Sequence, residues 1–340
     1  MSKKVLITGA TGLLGNNILR QCLAEGIQAE VLVRTKSGQR ALDDLYNQDG
    51  VPLVIHQGDI TNIDSVRRAA KDCTHIIHAA GDVHIGWQGL DRQRHINVTG
   101  TSNMAQVACE NKQRLIHVST VNALGLTGTE TPANEDTPFG SLNIPSTYVT
   151  TKREADLAVS RWVEQGLDAI IVHPGFMLGP FDWKLSSGKM LVGLTRSYPL
   201  LSPRGGCSLC DARDVASGII TTLDKGQTGE HFILAGHNLS YLELWRAISD
   251  VTGSVRPLWR MDRFTMLTTA LIGDVASKFT GREGDVNSAV VRMSDQYHYY
   301  SSEKASRLLG YQFRQVRTII NDAWNWLQQN GIAQATKQRT

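Results

Sequence analysis

Short runs of aliphatic and β-branched residues alternate along the chain with stretches in which apolar positions recur every three or four residues. The runs at 5–8, 29–33, 53–56, 75–78, 115–119 and 169–172 predict buried strands, and the periodic stretches at 13–23, 63–70, 98–109 and 148–163 predict amphipathic helices. Regular alternation of the two predicts an α/β fold, a parallel sheet wound with helices on both faces. After Pro174 the rhythm changes. Glycine, proline and aromatic residues scatter through 175–206 as in a long, pocket-forming connection, and the sheet resumes once, at 231–234. Ser240 and Glu243 read as a capping box ahead of Leu242, Trp245 and Ile248, and the chain beyond is mainly helical. A last helix at 316–329 carries Ile319, Ile320, Ala323, Trp324 and Leu327 on one stripe, followed by a polar, fraying tail at 333–340. The expected division is a doubly wound unit over 1–174 with about 211–236, a smaller lobe over about 175–210 and 237–332, and the tail.

Composition narrows the possible partners. The 340 residues, 41% hydrophobic and 20% charged, exclude disordered, collagenous and coiled-coil chains. Lys+Arg 35 against Asp+Glu 32 leaves a formal charge of +3, too small a basic excess for a nucleic-acid partner. Cys22, Cys73, Cys109, Cys207 and Cys210 are odd in number and mostly lie inside apolar segments, which fits a reducing, cytoplasmic setting better than a disulfide scaffold. The apolar start breaks at Gly9, too early for an export signal. The most lipid-like stretch, 264–272, is interrupted by threonines and ends at Gly273-Asp274, too short for an integral membrane segment. We expect a helix there that covers a pocket or packs on a neighbour, with peripheral membrane contact as the lesser alternative.

Directly after the first run stands Thr8-Gly9-Ala10-Thr11-Gly12-Leu13-Leu14-Gly15. Gly9 permits a tight turn, Gly12 lets the backbone approach a pyrophosphate at a helix N-terminus, and Gly15 lets helix and strand pack closely, the requirements of a Rossmann dinucleotide site. Arg34 ends the second run, where a site for an unphosphorylated adenosine ribose usually places an acid. With Thr35, Lys36, Ser37 and Arg40 behind it, the loop has the character that pairs with a 2′-phosphate, so NADP(H) is favoured and NAD(H) is the alternative.

Tyr148 and Lys152 lie one turn apart on a predicted helix and so share a face. A lysine charge beside a phenol, together with that of an oxidised nicotinamide, would pull the phenol below its ordinary value of about 10, fitting it to exchange a proton with a carbonyl or alcohol oxygen as hydride moves. Tyr300 and Lys304 repeat the spacing, but lie late in the second lobe and beyond any expected strand. Tyr148 follows the fifth run, whose end carries Ser119 and Thr120, and the carboxyl ends of strands are where open α/β sheets place ligands.

Taken in order, the glycine motif, Gly58-Asp59-Ile60, His78-Ala79-Ala80-Gly81, Asn97-Val98-Thr99-Gly100-Thr101, Val118-Ser119-Thr120, Tyr148-Val149-Thr150-Thr151-Lys152 and Pro174-Gly175-Phe176-Met177-Leu178-Gly179-Pro180 resemble an extended short-chain dehydrogenase/reductase of the epimerase/dehydratase superfamily over residues 1 to about 252. Leu32-Val33-Arg34, Gly179-Pro180-Phe181-Asp182 and Gly205-Gly206 leading into 211–216 are most similar to the dihydroflavonol-4-reductase-like branch. The resemblance implies that Thr120 bonds the substrate oxygen, Tyr148 is the acid/base, and Lys152 holds the nicotinamide ribose. It further implies that Asp59 and Ile60 flank the adenine, that Ala79, Ala80 and Gly81 line the cofactor by backbone, and that Asn97 supports the helix below. Thr8, Gly9, Thr11, Gly12, Leu13, Leu14, Gly15, Arg34, Ser119, Pro174 and Gly175 complete the cofactor set. It also implies a homodimer paired through the helices at 98–109 and 148–163. His173 departs from the usual arginine, and Val121-Asn122 stand where sugar-nucleotide 4,6-dehydratases carry Asp-Glu, which argues against dehydration. The asparagine usual just past the sixth strand of nucleotide-sugar epimerases is also missing from 173–176.

For the substrate side, Trp87, Phe176, Met177, Phe181, Trp183 and Met190 lie in segments expected to overhang Tyr148, and Lys184, Lys189, Arg196 and Arg204 offer charge for a diphosphate. Cys207 and Cys210 lack a second pair or histidines at ligand spacing, so no metal is expected. The expected function is therefore an NADP-dependent oxidoreductase that reduces a carbonyl or oxidises a secondary alcohol on a small, partly apolar molecule. The alternatives are an NAD-dependent nucleotide-sugar epimerase and a non-catalytic NADP-sensing protein.

Overall fold

The computed structural model describes residues 3–34, 36–45, 53–128, 131–197, 199–280 and 283–333. Thr35 and residues 334–340 lie outside the described residues, as do the side chains of Lys36, Ser37 and Arg40.

Seven parallel strands form the main sheet: β1 (Lys4–Thr8), β2 (Gln28–Val33), β3 (Val54–Gln57), β4 (His75–His78), β5 (Arg114–Val118), β6 (Ala169–Pro174) and β10 (His231–Leu234), in the order β10-β6-β5-β4-β1-β2-β3. The register is continuous across the centre, with Thr8 opposite both Leu32 and His78. The order reverses between β1 and β4, so the crevice for a ligand opens at the carboxyl ends of these two strands, where the chain crosses to opposite faces. Both faces of the sheet are covered. One cluster packs Ile18, Leu19 and Ile219 on Val5, Ile7 and Val31, and the other packs Val66, Met104 and Val159 on Leu6, Ile76 and Ile171. Strands covered on both faces need near-continuous apolar sequence, as these have.

The covering helices are α1 (Leu13–Ala24), α2 (Ile63–Ala70), α3 (Leu90–Arg94), α4 (Gly100–Glu110), α5 (Thr147–Glu164) and, after α6 (Lys189–Ser197) in the connection, α7 (Ala212–Thr221). A five-residue π turn, His95–Thr99, joins α3 to α4, so the helix expected at 98–109 is not regular at its start. Short 3₁₀ segments occupy Lys36–Leu45 and Val121–Ala123.

The connection expected at 175–206 contains elements of its own. Besides α6 it holds β7 (Phe176–Leu178) and β8 (Leu201–Ser202), and its end runs into β9 (Gly206–Asp211). A second sheet forms around β9, which pairs with β7, with β11 (His237–Ser240) and with β13 (Tyr297–His298), and β8 pairs with β12 (Trp259–Arg260). These strands are two to six residues long. Such short pieces carry too few alternations for a period to emerge.

The remaining helices are α8 (Tyr241–Thr252), α9 (Arg263–Thr280), α10 (Ser288–Ser294), α11 (Glu303–Leu309) and α12 (Val316–Gln329). The Ser240–Glu243 capping box is formed, Ser240 N donating to Glu243 Oε2 at 2.8 Å and Glu243 N to Ser240 Oγ at 3.3 Å. Ala333, placed by sequence in a fraying tail, is instead buried, its N–H bonded to Leu327 O at 3.1 Å. The helix expected at 264–272 extends over the whole of α9. It buries Met266, Ala270 and Ser277 and turns its large apolar residues outward.

Candidate active site

The glycine motif forms the floor of the crevice. Gly9 has φ +77°, and a Cβ there would lie 2.6 Å from the Ala79 carbonyl carbon, so only glycine permits the turn this close to the end of β4. A Cβ on Gly15 would stand 2.2 Å from Gly9 O, which makes it the close contact between α1 and the loop. At Gly12, by contrast, the position is open except for Gly9 O at 3.4 Å. Gly12 caps α1 without any side-chain bond, and the first turn of α1 carries no acidic residue. A cradle of free backbone N–H groups with open space before it fits a dinucleotide's pyrophosphate. Leu13 and Leu14 are buried behind this turn.

Other residues expected at the cofactor divide into those that face the crevice and those that hold it in shape. Thr8 is fully buried, its hydroxyl on His78 Nδ1 at 2.7 Å and accepting Ala80 N at 3.2 Å, so it ties β1 to the loop Ala79-Ala80-Gly81. Asp59 Oδ1 closes a turn by accepting from Thr61 N and Oγ1 at 2.9 and 2.8 Å, and Ile60 packs on Gly100. Asn97, in the π turn, accepts Asp82 N at 2.7 Å and donates to Asp82 O and Thr151 Oγ1, each at 3.0 Å. It thereby ties the loop after β4 to α5 one residue before Lys152. Pro174 ends β6, and Gly175 lies where a Cβ would be 2.4 Å from Ser208 O, the close approach between the two sheets.

Arg34 stands exposed at the end of β2. Sequence reasoning had assigned Lys184 only to a substrate diphosphate. The structure places its ammonium 2.8 Å from Thr11 Oγ1, over the glycine loop. Burial, and then the charge of Arg34, lowers its pKa, so two cations converge on one end of the cradle.

Thr120, Tyr148 and Lys152 come together where β5 ends and α5 begins. The Thr120 hydroxyl lies beside the half-buried Tyr148 phenol, close enough to act on its pKa, and accepts Asn122 N at 3.3 Å. Lys152 is buried, with Nζ donating to Val118 O at 2.8 Å, and burial lowers its pKa to about 8 against the opposing pull of Asp156. The Tyr148 phenol departs from expectation. Burial raises its pKa, the nearby Thr120 hydroxyl only partly offsets this, and Asp156 raises it further. The Lys152 charge, turned to the Val118 carbonyl, does not pull the phenol down in this geometry.

Beneath these groups lies a network that sequence reasoning missed. Asp156, a further turn along α5, accepts from Ser119 Oγ at 2.8 Å and bonds His117 Nε2 at 3.2 Å. Burial pushes its carboxyl up, but the His117 bond and the charges of His173, His117 and Lys152 bring it down to about 2. His173 lies buried with Nδ1 on the Thr120 carbonyl at 3.1 Å and Nε2 on His231 Nδ1 at 2.9 Å, and burial lowers its pKa to about 4. The available signal was the run 148, 152, 156 on one helix face.

The expected substrate residues separate. Trp87 stays at the rim, in a loop whose Gly86 O accepts Thr147 N at 2.8 Å, next to Tyr148. Phe176 and Met177 are half-buried in β7. The rings of Phe181 and Trp183 pack on Trp326 at 5.8 and 4.9 Å, and Arg20 covers Phe181, so both join the lobe's core while staying partly exposed. Cys207 and Cys210 are buried in β9 as free thiols, and burial pushes Cys207 up to about 12. Among the described residues no three His, Cys, Asp or Glu side chains gather as metal ligands.

Against known proteins, residues 5–235 match the model of the NAD dependent epimerase/dehydratase family. The chain is 28% identical over 339 residues to a protein of Synechocystis sp. named "Putative dihydroflavonol 4-reductase", covering 97% of this chain and 96% of that one. It is 27% identical to "Sterol demethylase protein B" of Methylococcus capsulatus, covering 96% and 99%. The crystal structure of gox2253 is similar with a TM-score of 0.82 and 29% identity, covering 98% of this chain and all of that one, 100%.

Proposed function

The chain belongs to the NAD dependent epimerase/dehydratase family of extended short-chain dehydrogenases/reductases and is an NAD(P)-dependent enzyme acting on CH–OH groups; within that class we propose an NADP(H)-dependent carbonyl reductase of a small, partly apolar substrate. We assign the dinucleotide to 1–174 with about 211–236, and the substrate to the lobe over about 175–210 and 237–332.

The observation that carries this reading is the Thr120–Tyr148 hydroxyl pair at the end of β5, beside an open glycine cradle. A bound dinucleotide supplies hydride to the carbonyl carbon. Tyr148 Oη gives its proton to the carbonyl oxygen, and the Thr120 hydroxyl, beside that phenol, holds the same oxygen in line. An ordinary phenol is protonated at neutral pH and burial raises its pKa further, so the resting site is set to donate a proton, which suits reduction. Lys152, buried behind, keeps N–H donors beyond the one given to Val118 O, and these would hold the nicotinamide ribose. Asn97 and His173 act as positioning residues, through Thr151 and through the Thr120 carbonyl. NADP over NAD rests on Arg34 and Lys184, cations on the side where a 2′-phosphate needs charge.

The test is to denature freshly purified protein, identify any nucleotide released, and titrate emptied protein with NADPH and NADH. An empty or NADP-filled site that prefers NADPH supports the proposal. Near-stoichiometric NAD⁺ would overturn it in favour of an epimerase, which returns its hydride every cycle and so retains its cofactor.

A further inference from the structure

Helix α9 leaves an apolar face without a partner in the fold. Phe264, Leu267, Leu271, Ile272, Val275 and Phe279 recur at three and four residue spacing and are 41–88% exposed, opposite the buried stripe Met266, Ala270 and Ser277. Trp259 of β12, 67% exposed, and Leu258 lead into the helix. A continuous surface of this kind is larger than a monomer ordinarily leaves to water, so it marks a docking site.

Charge identifies what docks. Arg260, Arg263 and Lys278 border or share the face, and among the described residues none has a carboxylate partner; Arg260 bonds only the neutral Tyr297 hydroxyl at 3.2 Å. The acids of the helix and its lead-in are already engaged. Asp262 Oδ1 accepts Thr265 N at 2.7 Å to cap α9, and Asp274 Oδ1 accepts Ser288 N at 2.9 Å. A second copy related by a two-fold axis would bring together two surfaces of the same net sign, each with Arg260, Arg263 and Lys278 against Asp262 and Asp274. An anionic lipid surface answers these cations, and takes the aromatic rings at both ends of the helix into its interface. Between α9 and the segment after it runs an apolar groove of about 440 Å³, lined by Ile272, Ala276 and Val286, with room for hydrocarbon. Among the described residues no helix is long and apolar enough to cross a membrane, so α9 would lie in the interfacial plane.

We propose that α9 with Trp259 is a monotopic docking face for anionic lipid bilayers. The segment following α9 joins this face to the substrate loop: Glu283 accepts Trp87 N at 2.9 Å and Gln88 N at 3.0 Å, and Ser288 Oγ accepts Trp87 Nε1 at 2.8 Å.

The test is co-sedimentation of the full chain with vesicles of equimolar phosphatidylcholine and phosphatidylglycerol, against phosphatidylcholine alone. The expected result is binding to the anionic vesicles, reduced at least about tenfold in Phe264→Ser/Leu271→Ser/Phe279→Ser and also weakened in Arg263→Gln/Lys278→Gln. Brominated lipids should quench tryptophan fluorescence in the parent and markedly less in Trp259→Phe. The substituted residues are exposed, so an unchanged circular dichroism melt separates lost docking from lost fold. Failure to bind the anionic vesicles, or binding indifferent to the triple substitution, overturns the proposal. A solution dimer that the triple substitution dissolves would also overturn it, and would assign the face to a second copy.

Discussion

Tyr148 and Lys152 stand four positions apart within α5, and Tyr300 and Lys304 stand four apart across the start of α11. In the first pair the helix is continuous, so the spacing becomes a shared face, with the phenol beside the Thr120 hydroxyl and the ammonium on the Val118 carbonyl. In the second pair Tyr300 precedes the helix. Its N–H bonds Ser208 Oγ at 2.9 Å, its ring is fully buried with a hydroxyl that finds no partner, and Lys304 turns away to His231 O at 2.9 Å and Glu230 at 3.2 Å. The same letters at the same interval thus give a candidate reaction centre in one region and a piece of lobe core in the other. A spacing carries chemical meaning only through the element that bears it.

The largest effect expected separates these pairs directly. Tyr148→Phe should lower kcat by about 10²–10⁴ while leaving cofactor affinity nearly unchanged, as removal of a general acid does. Tyr300→Phe should leave kcat within about twofold and hold or raise stability by up to about 1 kcal/mol, since it removes a buried hydroxyl without a partner. Steady-state kinetics and denaturant melts of both variants check the pair. Equal losses of turnover would break the comparison.

Glycines contrast the two regions in the same way. Gly15→Ala drives a methyl to 2.2 Å from backbone and should cost about 2–3 kcal/mol together with dinucleotide binding. Gly193→Ala, in α6 with nothing within 4 Å of the new carbon, should stabilise by about 0.5–1 kcal/mol. Urea unfolding of the two proteins distinguishes these signs.

Acid sensitivity is shared between the regions. Burial lowers His173 and His298 to about 4 each, below their unfolded value of about 6.5, so the folded state holds them neutral. Their contribution is complete above pH 6.5 and is lost progressively as pH falls towards 4, at about 1.4 kcal/mol per unit for each proton. Asp156, depressed to about 2, adds a further loss only below its unfolded value of about 3.9. Unfolding free energies measured from pH 7 to 5 should therefore flatten by one proton's slope in either His173→Gln or His298→Gln. Only His173→Gln should also change kcat, because His173 holds the Thr120 carbonyl. The smallest effect lies at the cradle. Lys184→Ala should weaken NADPH by about three- to fivefold and NADH less, as expected for a partly screened charge, and calorimetric titration reads both.

Much of the site was legible because it is local. The positive φ of Gly9 and the contact of Gly15 with Gly9 O are set within a few residues of chain, and Tyr148 with Lys152 needs only a helix to become a face. Asp156, His117 and His173 were not legible, because they come from α5, β5 and β6 and meet only when the sheet is assembled. The packing of Phe181 and Trp183 was not legible for the same reason: an aromatic residue near a site in sequence packs with whichever ring the fold brings closest, here Trp326 on α12.

The amino-acid pattern alone determined the doubly wound sheet, its glycine cradle, the capped helix at 241–252 and the amphipathic helix at 316–329, since strand and helix periods and caps are set by neighbours a few residues away. Only the tertiary structure decided the second sheet around β9, the raised pKa of Tyr148 and the outward face of α9. Strands of two or three residues take their partners from distant chain, a phenol's acidity follows its burial and the direction of a lysine's ammonium, and an apolar stripe is core or surface according to what the rest of the fold leaves beside it.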